Sequence, residues 1–223
     1  MGSRLFTFGC SFTNYRWSTW VDCLEPEFDT VENWGQSGAG NSYIFNSIIE
    51  ADQRTQFGPN DTVVVCWTTV HRDDRYAQGR WHTLGNMFTC PIYDKEYLTT
   101  HVDSRGYLIR DLAYIKSIKT LLEHRNIRWR FMSMANFNGD SDVIDLYQDV
   151  IDSVLPSYQK VLHPEGWPDR QDPHPTPAEH LAYLDIVLPG WVTKQNTRVI
   201  MNEQSINLNK DPNRTGMTKV TRL

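Results

Sequence analysis

Two periods of apolar residues alternate along this chain. Leu5, Phe6 and Phe8 form a short apolar run that stops at Gly9, which predicts a buried strand with a sharp exit. Trp17, Trp20, Val21 and Leu24 then recur at helical spacing, so Ser11 falls at a strand-to-helix turn. Phe28 to Trp34 reads as a second strand. A Gly/Ser-rich turn, 35–41, follows, and then an amphipathic helix carrying Ile44, Ile48 and Ala51. Thr62 to Trp67 is β-branched and apolar enough to be a central strand covered on both faces.

From about Arg72 to Arg105 the sequence is polar and aromatic without a period, which suggests an inserted lid or binding loop. Leu108, Leu112, Ile115, Ile118 and Leu122 predict a long helix, and Ile127 to Ala135 alternates as a strand does. Val143, Tyr147, Val150 and Val154 predict one further helix, and Thr176 to Leu188 the last. This order implies an α/β sandwich with a mainly parallel sheet. Ligands of such sheets bind outside the carboxyl ends of the strands, where Ser11, Gly38 and residues 67–72 all fall.

Composition narrows the class. At 223 residues, with 39% hydrophobic and 22% charged residues, the chain fits one globular domain, taken as residues 1–193, with a tail at 194–223. No apolar run is long enough to span a bilayer, and the first twenty residues lack the pattern of a signal peptide. Cys10, Cys23, Cys66 and Cys90 have neither CxxC nor zinc spacing and read as reduced thiols of a cytoplasmic-type environment. A net charge of −5 argues against a nucleic-acid partner, and nothing points to a membrane. The tail differs, with six basic residues (Lys194, Arg198, Lys210, Arg214, Lys219, Arg222) against Glu203 and Asp211. It is expected to drape over the acidic body, or to serve a protein partner or self-association.

The candidate chemistry lies at two places. Ser11 can be a nucleophile or can simply cap its turn. Near the other end, Thr176-Pro177-Ala178-Glu179 is a capping box with proline at the first helical position. It fixes His174 in a loop stiffened by Pro173 and Pro175, with carboxylates at Asp172 and Asp169. That is what a general base needs, although the same residues also suit a histidine packed beneath a helix. A metal site from Asp172, His174 and His180 lacks an established ligand spacing, and His180 reads as a packed histidine bonded to backbone.

With these residues in place, the chain resembles the SGNH/GDSL-type hydrolases, and more narrowly their divergent phage and marine-microbial members. The family's G-D-S block is matched by Gly9-Cys10-Ser11, its N-x-G-x-S-G turn by Asn33-Trp34-Gly35-Gln36-Ser37-Gly38, and its D-x-x-H-P-like block by Asp172-Pro173-His174-Pro175. The resemblance spans residues 4 to about 190. It implies a flavodoxin-like three-layer α/β/α sandwich, Ser11 as nucleophile, His174 as base and an oxyanion hole from the amides of Ser11 and Gly38. It implies no metal or organic cofactor.

Three positions depart from the family. Gln171 stands where the family has aspartate, so Asp172 or Asp169 must orient the ring, with Asp172 favoured as the nearer. Val70 stands where a third block supplies an asparagine to the oxyanion hole, and one such donor is worth about 3 kcal/mol. Thr69, His71 or Arg72 are the candidates to replace it or to contact substrate, with Asn136 or Asn138 as further options. Cys10 replaces an aspartate of the first block.

The expected function is a serine esterase acting on a small ester or an acetylated glycan. Trp17, Trp81, Tyr93, Tyr97 and Trp167 are loop aromatics able to stack on sugars or simply to pack. The alternative is a weakened module of the same fold that binds glycan or forms part of a phage particle, which would make it virion-associated.

Overall fold

The structure is a computed structural model and describes residues 2–206. Strand β1 (Arg4–Gly9) is followed by helix α1 (Trp20–Leu24), a single 3₁₀ turn (Glu25–Glu27), strand β2 (Thr30–Asn33) and helix α2 (Asn41–Thr55). Strand β3 (Asp61–Trp67) leads to a hairpin of β4 (Arg72–Ala77) and β5 (Arg80–Asn86), then to α3 (Lys95–His101) and the long α4 (Ser104–His124). Strand β6 (Arg128–Ser133), short helices α5 (Ser141–Leu146), α6 (Gln148–Ile151) and α7 (Tyr158–Leu162), then α8 (Pro177–Val187) and α9 (Thr197–Ser205) complete the described chain.

β1, β2, β3 and β6 form one parallel sheet in the order β2-β1-β3-β6. The chain leaves β1 towards one edge and returns to build the other from β3, so its switch point lies between β1 and β3. Such a crevice is where open α/β sheets place ligands. Helices α2 and α4 pack together on one face, and α1, α7, α8 and α9 group on the other, which gives three layers. Every residue of β3 is buried, as expected of a strand covered on both sides. The buried residues of α4 include Leu108, Leu112, Ile115, Ile118 and Leu122, the predicted stripe.

Three elements differ from the sequence expectation. Helix α1 begins at Trp20 because Thr19 and Asp22 form a capping box that fixes its start, leaving Trp17 in the preceding turn. The helix expected over 143–154 breaks at Tyr147, whose backbone leaves helical geometry. The chain then returns to the sheet, where Val154 pairs with Phe131 and the Leu155 amide donates to the Phe131 carbonyl at 2.8 Å. Within the aperiodic stretch 72–105, β4 and β5 pair antiparallel around Gln78 and Gly79, both at positive φ, as a two-residue hairpin turn of the primed type requires.

The first part of the basic tail lies on the body. Arg198 pairs with Asp22 at 2.7 Å and with Glu25, and Asn202 accepts from the Ser18 amide at 2.9 Å. Lys210, Arg214, Lys219 and Arg222 lie outside the described residues, and with them any docking role they were expected to have.

Gly9 shows how tightly the first turn is built. A Cβ there would stand 2.1 Å from Thr13 Oγ1 and 2.9 Å from the Cys66 carbonyl oxygen. Gly9→Ala is expected to destabilise the protein by about 2 kcal/mol or more in urea unfolding. Gly106→Ala, at an uncrowded position inside α4, is expected to stabilise it by about 0.5–1 kcal/mol.

Candidate active site

Beyond Gly9 the chain turns at once, with the amides of Thr13 and Asn14 both donating to the Cys10 carbonyl at 2.9 and 3.1 Å. This tight turn sets Ser11, 7% exposed, above the carboxyl end of β1. Cys10 is wholly buried, so its thiol belongs to the core. The loop before α8 comes to meet the turn. His174 Nε2 lies 2.9 Å from Ser11 Oγ, and His174 Nδ1 lies 2.7 Å from Asp172 Oδ1. Asp172 therefore occupies the orienting position, and Asp169 is exposed.

The Asp172 carboxylate is buried and fully used. Oδ1 accepts from the His174 amide (3.1 Å) and ring, and Oδ2 accepts from Tyr15 Oη and Arg16 Nη2, each at 2.7 Å. Burial alone would raise its pKa, but the hydrogen bonds from His174 and Tyr15 outweigh this and hold it down at about 2. With the carboxylate ionised, Nδ1 carries the ring proton and Nε2 is left to accept from the Ser11 hydroxyl. Tyr15 also stacks on the imidazole, centroids 4.0 Å apart, and its own pKa is raised by burial and by Asp172. Phe12 presents its ring to the imidazole at 5.9 Å.

Arg170 staples the histidine loop to the helix behind it. Its Nε and Nη2 donate to the carbonyls of Asp172 (2.9 Å) and His174 (2.7 Å), while Nη1 and Nη2 reach the Glu179 carboxylate at 3.1 and 2.7 Å. Glu179 simultaneously closes the capping box with Thr176. Tyr15, Arg16 and Arg170 were not among the residues expected here. Their signal was only adjacency, since Tyr15-Arg16 follows the first block and Arg170 precedes the last.

The turn 35–40 is tied to the first. Asn33 Nδ2 donates to the Thr13 carbonyl and Asn33 Oδ1 accepts from the Gly35 amide, both at 2.9 Å. Asn14 Nδ2 donates to the Gly35 carbonyl at 3.0 Å, and the Gln36 amide to the Gly9 carbonyl at 3.0 Å. Among the described residues, neither the Ser11 nor the Gly38 amide has a hydrogen-bond acceptor.

At the end of β3, Val70 is buried and offers no side-chain donor. Thr69 Oγ1 is buried without a partner among the described residues. His71 Nε2 meets Ser104 at 2.9 Å, and its pKa is lowered by burial. Arg72 is buried, its Nη1 donating to the Ala39 carbonyl at 2.8 Å. Asn136 is exposed and bonded to Ser157, and Asn138 is exposed. Asn41 clamps both backbone groups of Thr68 (2.9 and 3.1 Å) and reaches Asp111, whose pKa burial raises to about 6.

His180 is bonded through Nδ1 to the Tyr158 hydroxyl at 2.9 Å, rather than to backbone as expected, and burial lowers its pKa to about 3. No group of three or more His, Cys, Asp or Glu side chains among the described residues is arranged to hold a metal ion. The loop aromatics mostly pack: Trp17 donates to the Pro175 carbonyl, Tyr93 to the Asp73 carbonyl, Trp167 meets Phe12 in a T-shaped contact, and Tyr97 lies by Arg75. Trp81 lies between Tyr43 and Tyr76. Cavities of about 500 and 430 Å³, lined by Asp52 and Arg125 and by Ser3, Asp61 and Trp191, are both remote from Ser11. No helix among the described residues is long and apolar enough to cross a membrane.

Site and sheet together define an α/β chain with a serine, a histidine and an aspartate in hydrogen-bonded series at the switch point. No protein-family model matches the chain, and no curated protein does. Among solved structures it is similar to a candidate lipolytic protein of the G-D-S-L family from Desulfitobacterium hafniense DCB-2 (TM-score 0.48, 15% identity, covering 83% of this chain and 99% of that one). It is also similar to a member of the lipolytic G-D-S-L family from Veillonella parvula DSM 2008 (0.45, 14%, 83% and 97%). A third is the psychrotrophic esterase EstA from Pseudoalteromonas sp. inhibited by monoethylphosphonate (0.44, 10%, 86% and 100%). At such identities the likeness concerns the path of the chain.

Because the Asp172 pKa lies below its unfolded value of about 3.9, its charge stabilises the fold fully above that value. The contribution is lost as pH falls through about 2. Its size is on the order of 2 kcal/mol. The stability difference between wild type and Asp172→Asn, measured by urea unfolding at several pH values, is expected to shrink as pH falls from 4 to 2.

Proposed function

We propose that the protein is a serine ester hydrolase. The observation that carries this reading is the series Ser11 Oγ to His174 Nε2 to Asp172, at 2.9 and 2.7 Å. In the reaction, His174 takes the Ser11 proton as Oγ attacks the ester carbonyl, and Asp172 stabilises the imidazolium that forms. The amides of Ser11 and Gly38 receive the developing oxyanion. His174 returns the proton to the leaving alcohol, and the acyl-enzyme is then hydrolysed by a water that the same histidine activates.

Within ester hydrolysis we favour short acyl groups, with an O-acetyl group on carbohydrate as the first candidate. Phe12 and Tyr15 both crowd the imidazole, which suits a small acyl group better than a long chain. The buried Val70 favours a second reading, a binding module on the same fold with a weakened site, since it supplies no donor where one is expected.

Hydrolysis of p-nitrophenyl acetate separates the two. The hydrolase reading predicts turnover by the wild type and a fall in kcat/KM of about 10³-fold or more in both Ser11→Ala and His174→Ala, with thermal unfolding little changed in Ser11→Ala. Absence of turnover in the wild type, or equal rates in all three proteins, favours the binding module.

A further inference from the structure

The hairpin β4–β5 makes an unusual number of bonds to one short piece of backbone. Gln36 Nε2 donates to Thr83 Oγ1 at 2.9 Å, and Thr83 Oγ1 donates in turn to the Ser37 carbonyl at 2.9 Å. The Gly85 amide donates to the Gly38 carbonyl at 3.0 Å, and Arg72 Nη1 to the Ala39 carbonyl at 2.8 Å. Asp74 accepts from the Gly40 amide at 2.8 and 3.0 Å and from the Tyr43 amide at 2.8 Å. Every residue from Gln36 to Gly40 is thus held by the hairpin, through its side chain, carbonyl or amide.

The fit between the two pieces is close. Gly38 has φ 77°, and a Cβ on it would lie 2.4 Å from the Thr83 carbonyl oxygen; a Cβ on Gly40 would lie 2.7 Å from that of Arg72. Gly40 caps α2 without a side chain of its own, so Asp74 supplies from the hairpin the carboxylate that the helix start lacks. Meanwhile the Gly38 amide itself is left without an acceptor among the described residues. Bonds on its neighbours fix the peptide plane and leave this N–H available.

We propose that the β4–β5 hairpin is a positioning device for the Gly38 amide, with Thr83 and Asp74 as its positioning residues. The proposal rests on the hydrolase reading above. It gives a reason for the inserted polar segment. Where no side chain at position 70 can donate to the oxyanion, one of the two remaining backbone donors is held rigidly by an added piece of sheet. A donor aimed in advance needs no reorganisation as charge develops, and small misplacements cost large factors in rate.

Thr83→Val keeps the shape of the side chain and removes both hydroxyl bonds, and Thr83→Ser restores them. Hydrogen exchange of the segment 37–43 and p-nitrophenyl acetate kinetics would be measured on both, with Asp74→Asn as a second way to loosen the clamp should Thr83→Val fail to fold. The expected result for Thr83→Val is exchange at 37–43 faster by about tenfold, kcat lower by about tenfold, and KM within about twofold. Protection of β1 and β3 should be unchanged, and Thr83→Ser should return all values towards wild type. Faster exchange with kcat intact, or exchange that rises over the whole sheet, would overturn the positioning role while leaving the hydrolase reading in place. A wild type that hydrolyses no ester, although Thr83→Val still loosens 37–43, would overturn the hydrolase reading and the proposal with it.

Discussion

The buried carboxylate of Asp172 is the point on which the site depends. A charge removed from water is tolerated only when donors replace the water it has lost. Here the replacements come from both sides of the crevice: the His174 ring and amide from its own loop, and Tyr15 and Arg16 from the turn after β1. Satisfying this one group therefore pulls together two segments more than 150 residues apart in sequence. It also settles the ring tautomer, since a proton held on Nδ1 by Asp172 leaves Nε2 facing Ser11. The reactive geometry is a consequence of burying that charge.

Around this core the fold supplies rigidity in layers. The switch point between β1 and β3 opens the crevice, and Arg170 with Glu179 ties the histidine loop to the first turn of α8. Asn33 and Asn14 tie the turn after β2 to the turn after β1, so the two candidate oxyanion amides sit on segments bonded to each other. Asn41 closes the third strand end in the same way. Most of these bonds join a side-chain amide to backbone. That choice adds no charge to a site that already holds a buried carboxylate and three buried or half-buried arginines, Arg16, Arg72 and Arg170.

How much of this was legible depended on whether the signal was local. β3 could be read because a central strand must be apolar on both faces, and α4 because its stripe from Leu108 to Leu122 repeats over several turns. The start of α8 could be read because a capping box is a short-range rule, and it placed His174 in its loop. The hairpin is not legible because β4 is a polar, half-exposed strand (Arg72-Asp73-Asp74-Arg75-Tyr76-Ala77), and it pairs with β5 through backbone rather than through a buried apolar face. Helix α9 was missed for a similar reason, since it is held by Arg198 and Asn202 on partners far away in sequence. Tyr15 and Arg16 could not be assigned to Asp172 from spacing at all. Only the fold brings them there.

In the proposed reaction Ser11 is a nucleophile made reactive by His174. The most direct measurement is active-site labelling with a fluorophosphonate, followed by intact-mass and peptide analysis. The expected result is a single adduct per chain, located on Ser11 and slowed by orders of magnitude in His174→Ala. No adduct on the wild type, or an adduct that persists in Ser11→Ala, would contradict it.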